Sequence, residues 1–281
     1  MILRIHALEC GRVRIKRSQA VGRGEGLARR LRPLVDREWT DWLPIHAYAV
    51  EHRQGVVVID AGADASLMRP GWHPYFRLAV EFDVDREQEI GPRLKALGIG
   101  PDDVKTVVLT HLHVDHDGGL ADLARAEIYV APGELAAASG LRGALGGYLA
   151  RRWPADFDPE PLRFEDVALG PFKQSKAITR DGAIRAIPTP GHTPDHLSVV
   201  AETAGGRVVF TGDATYSETN LRAGVIDGVA PLEAPARSTL GKLVALASER
   251  PTLILPAHDP ETMARLAAWA APGGRDAGNG H

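Results

Sequence analysis

The apolar positions of this chain fall mostly into short runs, and several of those runs end in a residue with donor chemistry. Val104 to Thr110 is β-branched and apolar enough to predict a buried strand, and Thr252-Leu253-Ile254-Leu255 reads the same way. Met1 to Ile15 predicts one or two strands broken at Gly11, anchored by Ile2, Ile5 and Leu8. His46 to Glu51 and Gly55 to Asp60 predict a hairpin around His52-Arg53-Gln54, and Ile128 to Val130 predicts a further strand. From Ile184 to Phe210, three short strands are interrupted by the loop around His192 and by Gly205-Gly206, which predicts a second sheet.

Between these runs the period changes. Ile90, Leu94 and Leu97 at helical spacing predict a helix over Arg86 to Leu97, stopped at Gly98. Further helices are predicted from about Pro132 to Ser139, with proline in the first turn, over Pro235 to Ser248, and over Glu261 to Ala271. A short one holds Leu120 and Leu123. Strand, helix and strand around Val104 make a βαβ-like step, so the class is α/β. Three segments fit neither period. Lys16 to Arg37 is rich in arginine and glycine and reads as a solvated loop; Gly140 to Asp166 reads as an excursion or cap. Met68 to Phe76 mixes prolines and glycine with aromatics, suiting a pocket wall or an interface.

The densest chemistry is Thr110-His111-Leu112-His113-Val114-Asp115-His116-Asp117-Gly118-Gly119, directly after the strand at Val104. His111 and His113 leave it in extended chain, where residues two apart point the same way. Asp115 and His116 follow, able to face a neighbouring position as the chain turns at Asp117-Gly118-Gly119. Two adjoining ligand sets are therefore possible. Imidazole and carboxylate suit Zn²⁺ best, while Mn²⁺, Fe²⁺ and Co²⁺ accept the same donors. These four residues cannot complete two sites, which predicts further ligands downstream. His192 sits in the stiff turn Pro188-Thr189-Pro190-Gly191-His192-Thr193-Pro194; Asp213 ends the strand Val208-Val209-Phe210-Thr211-Gly212; His258 follows Thr252 to Ala257. Donors at strand ends gather at one rim of a packed sheet.

The whole-chain balance narrows the classes. The 281 residues, 44% apolar, can bury a substantial core, and nothing requires a second domain. A net charge of -3 gives no general attraction to nucleic acid or to an anionic membrane. Cys10 is the one cysteine, so no internal disulfide and no thiolate metal cage can form. It reads as a small buried hydrophobe, and the conditions expected are cytoplasmic, with no export signal and no membrane span. Pro272 to His281 reads as a fraying tail.

The order of His-x-His-x-Asp-His, Gly191-His192-Thr193, Gly212-Asp213 and His258 resembles the metallo-β-lactamase-fold hydrolases over roughly residues 44 to 260. Thr211-Gly212-Asp213-Ala214-Thr215-Tyr216 most resembles the N-acyl-homoserine lactone lactonases, the quorum-quenching type, which carry a tyrosine three residues after the bridging aspartate. The resemblance implies an αββα sandwich, two central mixed sheets with helices on the outer faces. A single catalytic domain over 1–271 is expected, with pocket segments at 16–43, 68–82 and 140–166. The resemblance also implies two divalent metal ions, one on His111, His113 and His192, the other on Asp115, His116 and His258, with Asp213 and a water or hydroxide bridging them. Tyr216 would lie near the lactone, and Asp213 or Asp115 would pass a proton to the departing ring oxygen. Asp60 is similar to the superfamily's early aspartate, which orients the metal centre; a helix or turn cap is the plainer role. His196 is expected to be hydrogen-bonded in its loop rather than a ligand, and Asp195 stands where many relatives have glycine. The early segment with Trp39 and Trp42 would contribute to a substrate mouth or a homodimer contact, with core packing as the plainer reading. The rival activities under the same pattern are another lactone or ester hydrolase, a phosphotriesterase, and a glyoxalase II-like thioesterase.

Overall fold

The computed structural model describes residues 2–68 and 74–270, and the chain builds two mixed sheets. The first contains β1 (Ile2–Ile15), β2 (Leu43–His52), β3 (Gly55–Ile59), β4 (Val80–Asp83), β5 (Val104–Val108), β6 (Glu127–Val130) and β7 (Glu160–Pro161), in the order β4-β1-β2-β3-β5-β6-β7. The second contains β8 (Lys176–Ala177), β9 (Ile184–Pro188), β10 (Leu197–Thr203), β11 (Gly206–Gly212) and β12 (Thr252–Pro256), in the order β12-β11-β10-β9-β8. The α-helices of the described residues are α1 (Arg17–Ala20), α2 (Gly26–Val35), α3 (Pro74–Ala79), α4 (Ile90–Ala96), α5 (Pro132–Ala138), α6 (Gly140–Leu145), α7 (Glu218–Arg222), α8 (Glu233–Ser248) and α9 (Thr262–Ala270).

The layering follows from the two-residue period of the strands. In β3, Val57 and Ile59 point into the space between the sheets with Val199, Phe210 and Leu255, while Val56 and Val58 point the other way onto Ile90 and Leu94 of α4. In β11 and β12, Phe210 and Leu255 face the first sheet, and Val209 and Ile254 face Leu240, Leu243 and Leu246 of α8. Strands covered on both faces need continuous apolar runs, which is what these sequences are. Each fully buried valine or leucine contributes about 1.5–3 kcal/mol relative to exposure. The result is the helix, sheet, sheet, helix arrangement that the resemblance implies.

Several local expectations are corrected. β1 is not broken at Gly11: it runs through, with Gly11 at φ 100° and a register shift between Glu9 and Arg12, because a glycine accommodates a bulge without ending the ladder. Lys16 to Arg37 is not a loop. It forms α1 and α2, in which Leu27, Leu31 and Leu34 share one side while Arg29 and Pro33 are buried. The predicted Arg86 to Leu97 helix divides into a 3₁₀ turn, Arg86–Gln88, closed by an Asp85/Gln88 capping box, and α4, because Glu89 between them is extended. The excursion from Gly140 to Asp166 folds back as α6 and β7, pinned by Trp153 Nε1 donating to Asp117 at 2.6 Å and by the Arg152–Asp64 ion pair. Trp72 and the expected tail 272–281 lie outside the described residues.

β3 and β5 run parallel, as do β11 and β12. Asp60 follows the end of β3, His111 lies just past β5, Asp213 follows β11 and His258 lies just past β12. Carboxyl ends of parallel strands are where open α/β sheets place their ligands. Among the described residues no helix is long and apolar enough to cross a membrane.

Candidate metal centre

The hydrogen bonds on the outer nitrogen of each ring determine what the inner nitrogen can do. His113 Nε2 lies 3.2 Å from the Gly146 carbonyl, His192 Nδ1 3.2 Å from the Asp227 carboxylate, and His258 Nδ1 2.9 Å from the Pro44 carbonyl. His116 Nδ1 lies 2.9 Å from Asp60 Oδ2. His111 Nδ1 lies 3.1 Å from Thr110 Oγ1, whose own proton goes to Asp60 Oδ2 at 2.9 Å. Each partner accepts, so each outer nitrogen donates and each inner nitrogen presents a lone pair.

Those lone pairs converge. His113 Nδ1 is 3.0 Å from both His111 Nε2 and His192 Nε2. Asp213 Oδ1 lies 3.3 Å from His116 Nε2 and 3.2 Å from His258 Nε2, and Asp213 Oδ2 lies 3.4 Å from His192 Nε2. Asp115 Oδ2 stands 3.5 Å from His258 Nε2. Three donor groups of ligand geometry result: His111/His113/His192, His111/His116/Asp213 and Asp115/His116/His258, the donor atoms of each within 4.8 Å of one another. Facing lone pairs of this kind repel unless a cation lies among them. His116 Nε2 and Asp213 Oδ1 are moreover buried with no hydrogen-bond partner. Neutral imidazole and carboxylate oxygen are the donors a pair of divalent cations requires, so the residues fit such a pair. The seven residues named from the sequence are thus brought together, with the Asp213 carboxylate set between the two halves.

Charge does not follow the two sets: burial opposes charge on His192, but the Asp227 and Asp213 carboxylates raise it above the usual histidine range, unlike His111 and His113. Burial, reinforced by the neighbouring imidazoles, pushes His111 and His113 well below the usual histidine range. Burial opposes charge on His116 too, but the Asp213 and Asp60 carboxylates outweigh it and raise that ring well above the usual range.

The loops that hold these donors are tightly specified. Asp60 has φ 58°, a left-handed conformation that few side chains tolerate, and from there its Oδ1 accepts the Thr110 backbone N–H at 2.7 Å. Gly212 has φ 49°, and a Cβ there would meet Thr110 Oγ1 at 2.5 Å, so only glycine lets β11 approach His111's loop. His196 belongs to none of the donor groups. Its Nδ1 meets Thr189 Oγ1 at 2.9 Å and its Nε2 accepts the Asp213 backbone N–H at 3.2 Å; burial lowers its pKa to about 3, keeping it the neutral acceptor this contact needs. Asp195 Oδ2 accepts the Gly133 N–H at 2.7 Å, and its own N–H goes to the buried Glu134 at 3.2 Å, so the departure from glycine ties the His192 loop to α5.

A cavity of about 250 Å³ opens over the donors. His113, Asp115, His192, Asp213, Tyr216 and His258 form its polar end; Leu27, Leu31, Leu34, Phe76, Phe82 and Leu145 are among its apolar walls. The ring of Tyr216 stands edge-on between His192 and His258, with centroids at 5.9 and 5.4 Å, and burial then the Asp213 charge raise its phenol well above the usual range. Tyr75, on the same wall, donates to Gln19 at 2.5 Å. Sequence reasoning missed Asp227, Gln19, Arg29 and Glu134. The spacing of Leu27, Leu31 and Leu34 could have revealed α2, but nothing local marks Asp227 as the partner of a histidine 35 positions away.

The sequence matches the model of the metallo-beta-lactamase superfamily over residues 40–258. It is 28% identical over 231 residues to the N-acyl homoserine lactonase AttM of Rhizobium radiobacter, covering 81% of this chain and 84% of that one. It is 26% identical over 228 residues to the N-acyl homoserine lactonase of Bacillus thuringiensis, covering 78% and 82%. The fold resembles that of B. thuringiensis AiiA with N-decanoyl-L-homoserine bound at its active site (TM-score 0.76, 21% identity, 94% and 96% covered). It also resembles AidC, a dizinc quorum-quenching lactonase (TM-score 0.61, 13% identity, 92% and 90% covered). With a family match that runs from before β2 to His258 and a donor set gathered at the ends of its strands, the chain belongs to the metallo-beta-lactamase superfamily.

Proposed function

We propose that this protein is a dinuclear metal-dependent hydrolase that opens the lactone ring of N-acyl-homoserine lactones. The observation that carries this reading is the Asp213 carboxylate between two sets of inward-facing donors, at the floor of a cavity whose walls are apolar. The similarity to named lactonases from Rhizobium radiobacter and Bacillus thuringiensis supports the substrate class. His111, His113 and His192 would hold one ion, Asp115, His116 and His258 the other, with Asp213 shared between the two sets; Zn²⁺ is the first candidate and Co²⁺, Mn²⁺ and Fe²⁺ suit the same donors. When bound, such a pair lowers the pKa of water and polarises a carbonyl oxygen.

The chain's own residues do the rest. The apolar walls receive the acyl chain and exclude water. Tyr216 donates its phenolic proton as a hydrogen bond to the lactone carbonyl oxygen and to the negative charge that develops there. Asp115, or Asp213, carries a proton to the ring oxygen as the carbon–oxygen bond breaks, giving the open hydroxy acid. The catalytic unit spans 1–271, and the segments 16–43, 68–82 and 140–166 supply the walls through Leu27, Phe76 and Leu145. The test is a hydrolysis panel on metal-defined protein: homoserine lactones of several chain lengths, a simple lactone, S-lactoylglutathione and a phosphotriester. Faster turnover of the thioester or the phosphotriester than of every lactone overturns the assignment.

We further infer a cytoplasmic homodimer. Trp42 is exposed and Trp39 partly so, and Arg14 lies over both rings, at 5.1 and 5.4 Å, so the pair forms a firm surface suited to a second copy. A monomer mass in light scattering at every concentration removes this inference.

A further inference from the structure

Arg29 carries a guanidinium with only 1% of its side-chain surface exposed, on the helix that walls the cavity. A methionine of similar length would fill the space at a smaller desolvation cost, so packing alone gives no reason for a guanidinium there. What a guanidinium supplies is a fixed fork of donors. One arm donates to the Asp227 carbonyl and the other to the Ala230 carbonyl at 2.7 Å, while Glu233, 3.7 Å from Nε, balances the charge. Both carbonyls belong to one tight turn. Asp227 Oδ1 accepts the N–H groups of Val229 at 2.8 Å and Ala230 at 2.6 Å, and the other oxygen of that carboxylate accepts from His192 Nδ1. The chain of contacts therefore runs from α2 through Arg29 to the turn, from the turn to Asp227, and from Asp227 to His192.

We propose that Arg29 is a positioning residue for the metal centre. By gripping the 227–230 turn it holds Asp227 where it fixes the tautomer and orientation of His192, and it makes the cavity wall and one metal position parts of a single braced unit. The proposal rests on the reading that His111, His113 and His192 hold an ion. It concerns α2, whose leucines line the cavity, so a ligand that shifts the helix shifts His192 with it. Two backbone hydrogen bonds, Gly22 N–H to Ile226 and Gly228 N–H to Gln19, tie α1 and the chain before α2 to residues 226–228 without Arg29, at 3.0 and 2.7 Å. A variant lacking the guanidinium keeps those anchors.

The experiment is titration of metal-stripped protein with Co²⁺, followed by visible absorption and by competition with Zn²⁺, on wild type, Arg29→Met, Arg29→Lys and Arg207→Met. Arg207 is the control: it is equally buried, at 1% exposure, but is bonded to Glu202, Glu249 and the Leu246 carbonyl on the α8 side of the second sheet. Expected is weakening of one of the two ions in Arg29→Met by about tenfold to a hundredfold, as for loss of other groups that orient a ligand histidine. Arg29→Lys, which keeps one donor group, recovers part of it, and Arg207→Met loses stability with both affinities unchanged. Wild-type affinities in Arg29→Met, or an equal loss in Arg207→Met, overturn the proposal. Should Arg29→Met not fold, Arg29→Lys with two wild-type affinities does the same. A wild-type protein that takes up no ion overturns the metal reading itself, a result distinct from any of these.

Discussion

Asp60 Oδ2 lies 2.9 Å from His116 Nδ1, across 56 positions of sequence, and the same carboxylate receives both the backbone N–H and the hydroxyl of Thr110. One side chain thus orients a proposed ligand and anchors the strand end from which the next ligand departs. Asp60→Asn places an amide where three donors need acceptors. It is expected to weaken one bound ion by about tenfold to a hundredfold and to lower the melting temperature of the metal-free protein as well. Metal titration and calorimetry on the same sample check it. Unaltered values in both would make Asp60 the turn cap that its sequence position also allows.

Asp213 and His196 are predicted to differ sharply despite their direct contact. Asp213→Ala removes the oxygens between the two donor groups and is expected to lose at least one ion with most of the turnover. His196→Ala removes an acceptor for a backbone N–H and the partner of the Thr189 hydroxyl but no member of a donor group, and is expected to keep both ions. Elemental analysis after dialysis decides between them: metal loss in His196→Ala as severe as in His192→Ala would show that the loop's ligand is wrongly assigned.

Tyr216→Phe keeps the ring between His192 and His258 and removes only the hydroxyl. Turnover of a homoserine lactone is expected to fall by about tenfold to a thousandfold, the range for one hydrogen bond to a developing oxyanion, with metal content unchanged. Equal kcat and KM in the variant would remove Tyr216 from the mechanism.

Cys10 is fully buried, and desolvation pushes its thiol up to about 12. Its raised pKa means that the folded protein holds almost no thiolate at pH 8, and burial bars the reagent as well. Native protein is expected to stay unlabelled by a thiol reagent while denatured protein takes up one equivalent. Rapid native labelling would contradict the buried assignment.

How much of this was readable in one dimension follows from the range of each interaction. His111, His113, Asp115 and His116 are legible because three imidazoles in six positions after an apolar strand have few other uses. His192, Asp213 and His258 are legible because each closes or follows a short apolar run, so their meeting at a sheet rim is implied by the strands themselves. The groups behind them are not. Asp227 and Arg29 meet across 198 positions, and either one alone looks like an ordinary surface charge. The leucines of α2 are outweighed by the arginines and glycines of the segment from Lys16 to Arg37, because a helix that turns its leucines toward an open cavity lacks the covered face that helical reading expects.

The donors divide by origin as well as by function. His111, His113, Asp115 and His116 come from the loop after β5 in one sheet, while His192, Asp213 and His258 come from strand ends in the other. Each proposed ion is therefore a rivet across the seam of the sandwich, joining two layers that are also held by apolar contact and by hydrogen bonds such as Tyr48 hydroxyl to the Pro256 carbonyl. Binding free energy and cohesion between the layers become one quantity. A chelator then acts on the mechanical integrity of the molecule as much as on its chemistry. A core substitution that changes the spacing of the sheets, such as one at Phe210, reaches the ions without touching a ligand.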